Sequence, residues 1–139
     1  MNELIIEPTA WLTMKEDAEA RYPNECCGFF YGSNAPKVVK EALVIKNSSE
    51  GDQRRRFEIS PNDYFKGEKY ALENNLELLG IYHSHPDHPA RPSEHDRVQA
   101  VPVFSYIILS IVNGGVTKAT SWLLNNKDQF ENEKLTINE

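Results

Sequence analysis

Cysteine is scarce in this sequence, and long apolar runs are missing from it. Its two cysteines, Cys26 and Cys27, are adjacent, so they cannot join distant segments through an ordinary disulfide. No apolar run approaches the roughly 20 residues that span a bilayer. Residues 1–10 also lack the basic stretch of a secretory signal. We therefore expect a cytoplasmic protein without a disulfide framework or a membrane segment.

Positive charge is also in short supply. The chain has 15 lysines and arginines against 21 aspartates and glutamates, which gives a formal charge of -6. A negative surface repels phosphate backbones, so nucleic acid is not an expected partner. The 139 residues, 40% of them hydrophobic, suit one globular domain. We predict this domain over residues 1–125, followed by a polar segment, 126–139, that forms an edge strand or is partly disordered.

Apolar and alternating runs predict a series of strands. The predicted strands cover residues 4–6, 27–31, 38–46, 78–85, 104–112 and 116–124. The turn residues 113–115, Asn-Gly-Gly, are typical of a hairpin, so the last two strands are expected to pair with each other.

Three helices are predicted between these strands. Their starts are expected at Thr9, Ser60 and Ser93, because hydroxyl side chains suit the N-terminal cap of a helix. In the second helix, Phe65 and Leu72 recur at helical spacing, which indicates an apolar face. Mixed strands with two or three helices indicate an α/β or α+β fold, with a mixed β-sheet flanked by the helices.

The residues with the clearest chemistry lie in one short stretch. His83 and His85, in the run His-Ser-His-Pro, are two apart, so on a strand both rings project from the same face. Asp96 follows after a proline-rich loop and the start of a helix. Two imidazoles and one carboxylate leave a fourth tetrahedral position open for water, as in a hydrolytic zinc site.

Each of these residues also has a simpler explanation. A lone histidine is more often a polar core or surface residue than a metal ligand. Ser93 and Asp96 are spaced like a capping box, in which both would only satisfy free N–H groups at a helix start. The two roles are compatible, since Ser93 can cap while Asp96 turns toward a metal. A strand, a loop and a capped helix also place candidate ligands on rigid elements.

The pattern resembles the JAMM motif of the MPN-plus metalloproteases. The motif comprises residues 83–86 with Ser93 and Asp96, and the upstream segment 25–32, Glu-Cys-Cys-Gly-Phe-Phe-Tyr-Gly, resembles that family's Glu-x-Cys-Gly segment. Further similar segments lie at residues 22–23, 57–61 and 106–110. The resemblance implies a JAMM/MPN fold, which is a curved, mixed sheet of the cytidine-deaminase type.

The resemblance also implies a role for each matching residue. His83, His85 and Asp96 would bind one Zn²⁺ per chain. Glu25 would act as general base for a water and then as acid for the leaving amine, and Ser93 would hydrogen-bond the developing oxyanion. Without the resemblance, Glu25 is better explained as an exposed acid near a helix end.

Other residues near the motif have weaker functional interpretations. Cys26 or Cys27 could be a nucleophile with a histidine as base, although buried cysteines are usually inert. His88 is a candidate for substrate contact, and His95 is expected on the surface of the helix. A second metal at these two histidines is conceivable but less favoured.

The only basic run, Arg54-Arg55-Arg56, has two interpretations. It is typical of the solvated flank of a loop, which we prefer. Alternatively, the three arginines would dock an acidic partner, which makes them candidate substrate-binding residues.

We therefore predict a zinc metallopeptidase or isopeptidase of the JAMM type. As the resemblance implies for short relatives, its partner would be a ubiquitin-like sulfur-carrier protein with a Gly-Gly tail. The alternatives are a non-catalytic scaffold domain and a zinc hydrolase of a small molecule or nucleobase. The nucleobase deaminases use His-x-Glu and Pro-Cys-x-x-Cys patterns, which this sequence lacks. The sequence indicates no oligomeric state.

Overall fold

A computed structural model describes residues 3–139, and within them the chain forms seven strands and three helices. The elements in chain order are β1 (Glu3–Ile6), α1 (Pro8–Arg21), β2 (Cys27–Asn34), β3 (Lys37–Ile45), α2 (Pro61–Glu73), β4 (Glu77–Pro86), α3 (Glu94–Val98), β5 (Ser105–Val112), β6 (Gly115–Leu124) and β7 (Phe130–Ile137). None of the helices in this described part has the length and apolar character of a membrane span.

The strands form a closed barrel in the order β1-β3-β2-β4-β5-β6-β7, with β7 returning to β1. β1 pairs with its two neighbours in parallel, and so does β4 with β5, whereas the other pairs are antiparallel. The prediction of a mixed sheet flanked by helices is confirmed. Closure of that sheet was not predicted, and it removes the free edges that an open sheet exposes.

The end of the chain differs most from expectation. Residues 130–137 form β7, which is hydrogen-bonded to β6 on one side and to β1 on the other, so it is neither an edge strand nor disordered. Its one fully buried side chain is Glu133, a charged residue, which is why the polar sequence did not indicate an inner strand. The domain boundary after residue 125 stays a prediction.

Glu133 is buried because other polar side chains satisfy its carboxylate. Its oxygens accept hydrogen bonds from the hydroxyls of Ser105 and Ser121, both at 2.8 Å, and from Lys37 Nζ at 2.7 Å. These four residues, which we call the seam cluster, link β3, β5, β6 and β7. A buried carboxylate is tolerated when every acceptor position has such a partner.

The first two helices differ from the prediction in part, α1 in its first residue and α2 in the face that it packs against the barrel. α1 begins at Pro8 rather than after a Thr9 cap, because the fixed φ of proline suits the first helical position. The Ser60 cap of α2 is confirmed, since its hydroxyl accepts from the Asp63 N–H at 3.1 Å. However, Phe65 and Leu72 on α2 are 66% and 85% exposed.

α2 instead contacts the barrel through its small residues, Gly67 and Ala71. A Cβ atom at Gly67 would lie 2.5 Å from the ring of Phe29, so only glycine permits this close approach. The predicted apolar face was therefore wrong, because close backbone packing selected small side chains over large ones.

Strands β2 and β4 are buried on both faces, and their alternating side chains supply two apolar clusters. Tyr82 packs with Met14 and Phe30 on the side of α1. Ile81 packs with Phe29 and other aromatic residues on the side of α2. Tyr82, which alternates with the two histidines along β4, therefore faces away from them into the core. Both histidines therefore emerge from a strand that the core holds rigidly.

Candidate metal centre

The end of β4 carries His83 and His85 on one face. Their ring centroids lie 5.1 Å apart, and their side chains are 1% and 7% exposed. β4 is paired on both sides here, with Cys27 of β2 opposite His83 on one side and Ile108 of β5 on the other. The strand periodicity predicted this common face, and the neighbouring strands restrict its motion.

Glu25 lies two residues before β2 and is 3% exposed, so the explanation as an exposed surface acid is wrong. Its backbone is held by the loop between β3 and α2: the Glu25 N–H donates to the Gln53 carbonyl at 2.6 Å, and the Asn47 side chain donates to the Glu25 carbonyl at 3.2 Å. Glu25 Oε1 lies 3.5 Å from His83 Nδ1. The chain therefore holds this carboxylate against the first histidine.

Asp96 lies in the first turn of α3, and it takes part in a capping box. Its N–H donates to Ser93 Oγ at 3.1 Å, while its own Oδ2 accepts from the Ser93 N–H at 2.9 Å. The same Oδ2 lies 3.1 Å from His85 Nε2 and 3.9 Å from His83 Nε2. The capping role and proximity to the histidines thus coexist, as the sequence suggested.

These four side chains, Glu25, His83, His85 and Asp96, form what we call the donor cluster. Donor atoms of Glu25, His83 and His85 lie within 4.8 Å of one another and could hold a metal ion. Both ring nitrogens of His83, and Oε1 of Glu25, are buried without a hydrogen-bond partner. Each such unmet polar atom costs about 1–3 kcal/mol, and a cation bound to one nitrogen of His83 and to the carboxylate would remove much of that cost. The residues therefore fit a metal ion.

The surroundings of Asp96 favour the ionised form of its carboxylate. Burial by itself raises the pKa of Asp96, but the adjacent His83 and His85 and the Ser93 N–H together hold that pKa well below its usual range. Burial lowers the pKa of His85, but the hydrogen bond and charge of Asp96 outweigh it, so the His85 pKa is raised. A proton and a metal ion would therefore compete for the same ring nitrogen of His85.

Surrounding groups orient the two imidazoles. His85 Nδ1 lies 3.0 Å from the Pro89 carbonyl, which favours a proton on Nδ1 and leaves Nε2 free to bind a metal. The ring of Phe57 stacks on His83 with centroids 4.5 Å apart. Gln99 donates to the Phe57 carbonyl at 3.1 Å and so holds that segment. No local pattern in the sequence indicated the role of Phe57 or Pro89.

The two cysteines do not fit a nucleophile. Both are free and buried. Burial raises the pKa of Cys27 to about 12 and that of Cys26 well above its ordinary value. Both thiols therefore stay protonated at neutral pH, and the thiolate is the reactive form.

A cleft of about 470 Å³ opens in front of the donor cluster. Its lining residues are Glu25, Arg55, His85, His88, Pro89, Arg91 and Ser93. Among the predicted substrate-binding residues, the cleft therefore includes His88 and Arg55. Arg54 and Arg56 are not part of its lining, although they flank Arg55 in sequence. Arg91 was missed because an arginine in a proline-rich loop is typical of exposed surface.

Comparisons with known proteins agree with this geometry. The sequence matches the family of prokaryotic homologs of the JAB domain over residues 8–125. It is 30% identical to a desampylase of Pyrococcus furiosus over 113 residues, which cover 81% of this chain and 76% of that protein.

Solved structures show the same fold. A solution structure of a protein from Desulfitobacterium hafniense superimposes with a TM-score of 0.84 at 26% identity, covering 98% of this chain and 93% of that one. A structure described as JAMM, a metalloprotease-like zinc site in the proteasome and signalosome, superimposes with a TM-score of 0.61 at 20% identity over 98% of both chains.

The family match and the donor cluster together confirm the prediction of a zinc hydrolase, because two imidazoles and carboxylates around an open cleft are the donor set of catalytic zinc. The match covers most of the described chain and includes every residue of the donor cluster. The chain belongs to the prokaryotic homologs of the JAB domain.

Proposed function

We propose that the protein is a zinc-dependent peptidase or isopeptidase that hydrolyses an amide bond at the C-terminal tail of a ubiquitin-like protein. A sulfur carrier ending in Gly-Gly is the substrate that we favour. The observation that carries this proposal is the burial of Glu25 beside the histidines at the base of an open cleft. A relative of similar length is a desampylase, which supports a substrate of the ubiquitin-like class.

In this proposal His83, His85 and Asp96 hold the zinc ion. The bound ion supplies Lewis-acid activation of a water and of the scissile carbonyl. The role of Asp96 depends on the α3 cap, which aims its carboxylate at both imidazoles. The Pro89 carbonyl sets the tautomer of His85 that leaves Nε2 available.

Glu25 accepts the proton of the attacking water and later delivers it to the leaving amine. This role requires a carboxylate that is fixed and shielded from bulk water. The backbone contacts with Gln53 and Asn47 fix the chain at Glu25, and the side chain itself is buried. Ser93 lines the same cleft, and its hydroxyl donates to the oxyanion while its oxygen accepts from the Asp96 N–H.

The test uses a ubiquitin-like sulfur carrier whose Gly-Gly tail carries one extra residue. The zinc-loaded protein is expected to remove that residue, as followed by mass spectrometry. The matched control is the same protein with the metal removed by a chelator, which is expected to leave the carrier intact until zinc is restored. An intact carrier after incubation with protein of full zinc content would show that the substrate class is wrong.

Two finer points remain part of this proposal. A cytoplasmic location suits the free thiols of Cys26 and Cys27, because a reducing compartment preserves them. A likeness of the barrel to the cytidine-deaminase fold stays a prediction.

A purely scaffolding role is disfavoured, since a scaffold has no need of a buried donor cluster with unmet hydrogen bonds.

A further inference from the structure

The cleft in front of the donor cluster carries two guanidinium groups that the catalytic proposal does not use. Arg55 comes from the loop between β3 and α2, and Arg91 comes from the loop between β4 and α3. These loops are distant in sequence, yet both arginines line one cleft with Glu25, His85 and Ser93. Two guanidinium groups and one carboxylate, that of Glu25, give the lining of the cleft a net positive formal charge. The chain as a whole carries a charge of -6.

Neither arginine is committed to a strong ion pair within the protein. Arg55 Nε lies 3.8 Å from Asp52 Oδ2, but the Arg55 side chain is 78% exposed and Asp52 also pairs with Arg54 at 3.3 Å. Exposed pairs of this kind contribute little. Within residues 3–139, the ion pairs formed by the basic side chains do not include Arg91. Both guanidinium groups can therefore bind an incoming anion.

The anion that suits this place is a carboxylate on the leaving-group side of the scissile bond. Guanidinium groups recognise carboxylates through paired, charge-assisted hydrogen bonds. A Gly-Gly tail itself brings no charge to the cleft. A carboxylate lies near the scissile amide only if the leaving group is short, because an amide to a lysine side chain places that lysine's carboxyl within another protein's backbone.

We propose that Arg55 and Arg91 bind the free α-carboxylate of a short leaving group, which makes the protein selective for C-terminal extensions of one or two residues over lysine isopeptides. This inference rests on the proposed function, since it specifies the substrate of the same cleft. The arginines also offset the repulsion that Glu25 would exert on such a carboxylate.

The test measures binding separately from turnover. Metal-loaded Glu25→Gln protein is titrated with fluorescein-labelled tail peptides that end in Gly-Gly-Ala as the free acid, in Gly-Gly-Ala as the amide, or in Gly-Gly-Asp as the amide. We expect the free acid to bind about tenfold more tightly than either amide, which is the effect of one charge-assisted hydrogen-bonded contact.

Variants then assign this preference to the two arginines. Arg55→Met and Arg91→Met in the same background should each remove most of the preference for the free acid, and Arg91→Lys should restore part of it, because lysine keeps the charge without the planar fork. Lys69→Met, which removes a charge from exposed α2 outside the cleft, is the matched control and should keep the full preference. In otherwise wild-type enzyme, the arginine variants should raise KM with little change in kcat.

Equal binding of the free acid and its amide would overturn the inference, and so would equally tight binding of the amidated aspartate peptide, which would assign the site to an acidic side chain. These outcomes are distinct from failure of the proposed function. If the acid binds preferentially but wild-type enzyme cleaves no carrier, the proposed function is wrong while the carboxylate site stands.

Discussion

The donor cluster and the seam cluster both bury a glutamate among polar side chains, but they differ in how fully their hydrogen bonds are met. Around Glu133, two serine hydroxyls and the Lys37 ammonium satisfy both carboxylate oxygens. Around Glu25, the carboxylate Oε1 and both ring nitrogens of His83 have no partner.

The difference teaches how a functional polar cluster can be told from a structural one. Burial of a charged group does not separate the two, since Glu25 and Glu133 are 3% and 2% exposed. Unmet hydrogen-bonding capacity separates these two clusters, because a purely structural cluster is most stable when all of its polar atoms have hydrogen-bond partners. We therefore expect substitutions in the donor cluster to affect activity, and substitutions in the seam cluster to affect stability.

The largest expected effect is that of Glu25→Gln. Loss of the general base should lower kcat/KM about 10²- to 10⁴-fold. Zinc content and the free energy of unfolding should change little, because the amide keeps the shape of the carboxylate. Cleavage assays and metal analysis on the same sample measure both quantities, with the exposed Glu73→Gln as control. Wild-type turnover by the Glu25 variant would exclude it as the base.

The next largest effect is expected for Glu133→Ala in the seam cluster. Removal of its carboxylate leaves the partly buried Lys37 ammonium without its counter-charge and two buried serine hydroxyls without their acceptor, which should lower the free energy of unfolding by about 2–4 kcal/mol. Activity per folded molecule should persist. Urea denaturation measures the change, and Glu131→Ala on the exposed side of β7 should stay within about 0.5 kcal/mol of wild type. A Glu133 variant that was stable but inactive would break the comparison.

A matched pair of serines gives a smaller and more selective test. Ser93→Ala removes the α3 cap and should cost about 1 kcal/mol of stability, and loss of the oxyanion donor should slow cleavage about 10²-fold. Ser121→Ala removes one hydrogen bond to Glu133 and should cost about 1 kcal/mol, with no change in rate. Thermal unfolding and cleavage assays on both variants separate the outcomes, and equal rates would reject the oxyanion role of Ser93.

The smallest effect is the pH dependence of zinc affinity. Because Asp96 holds the pKa of His85 above its ordinary value, a proton displaces zinc from His85 more readily than from an isolated histidine. Below the pKa of His85, the affinity for zinc should fall about tenfold per pH unit, because zinc must displace one proton from this histidine. Asp96 stays ionised over this range because its pKa is lowered.

The stability of the metal-free protein should change with pH in the opposite direction to the zinc affinity. A raised histidine pKa stabilises the fold most at pH values below the unfolded-state pKa, and this contribution is lost as the pH rises through the folded-state value. Competition with a fluorescent chelator between about pH 5.5 and 8, with unfolding of the metal-free protein in parallel, covers this window around the ordinary histidine pKa. Zinc affinity that is flat over this range would contradict the linkage.

Much of the donor cluster could be predicted because its signals are local. The common face of His83 and His85 follows from strand periodicity, and the positions of Ser93 and Asp96 follow from a helix cap. Glu25 was different, since its sequence alone indicated an exposed acid and only the resemblance to a family suggested a function. Its backbone is held by Asn47 and Gln53, which follow it in the chain only after two β-strands, β2 and β3.

The fold could be predicted from the sequence to a similar extent. The strands and the Ser60 cap followed from apolar patterns and cap chemistry. β7 was not predicted as an inner strand, because the partners of Glu133 lie on other strands and leave no local trace in the sequence. The exposed Phe65 and Leu72 show the same limit, since packing at Gly67 set the orientation of α2.

The sequence by itself determined which chemical groups the protein has and how neighbouring groups are oriented, because helix caps and strand faces depend on contacts over a few residues. Only the tertiary structure decided that the barrel closes, that Glu25 meets His83, and that Arg55 and Arg91 share one cleft. These features depend on packing between segments far apart in the chain, where complementary shape and charge act without any repeating pattern in the sequence.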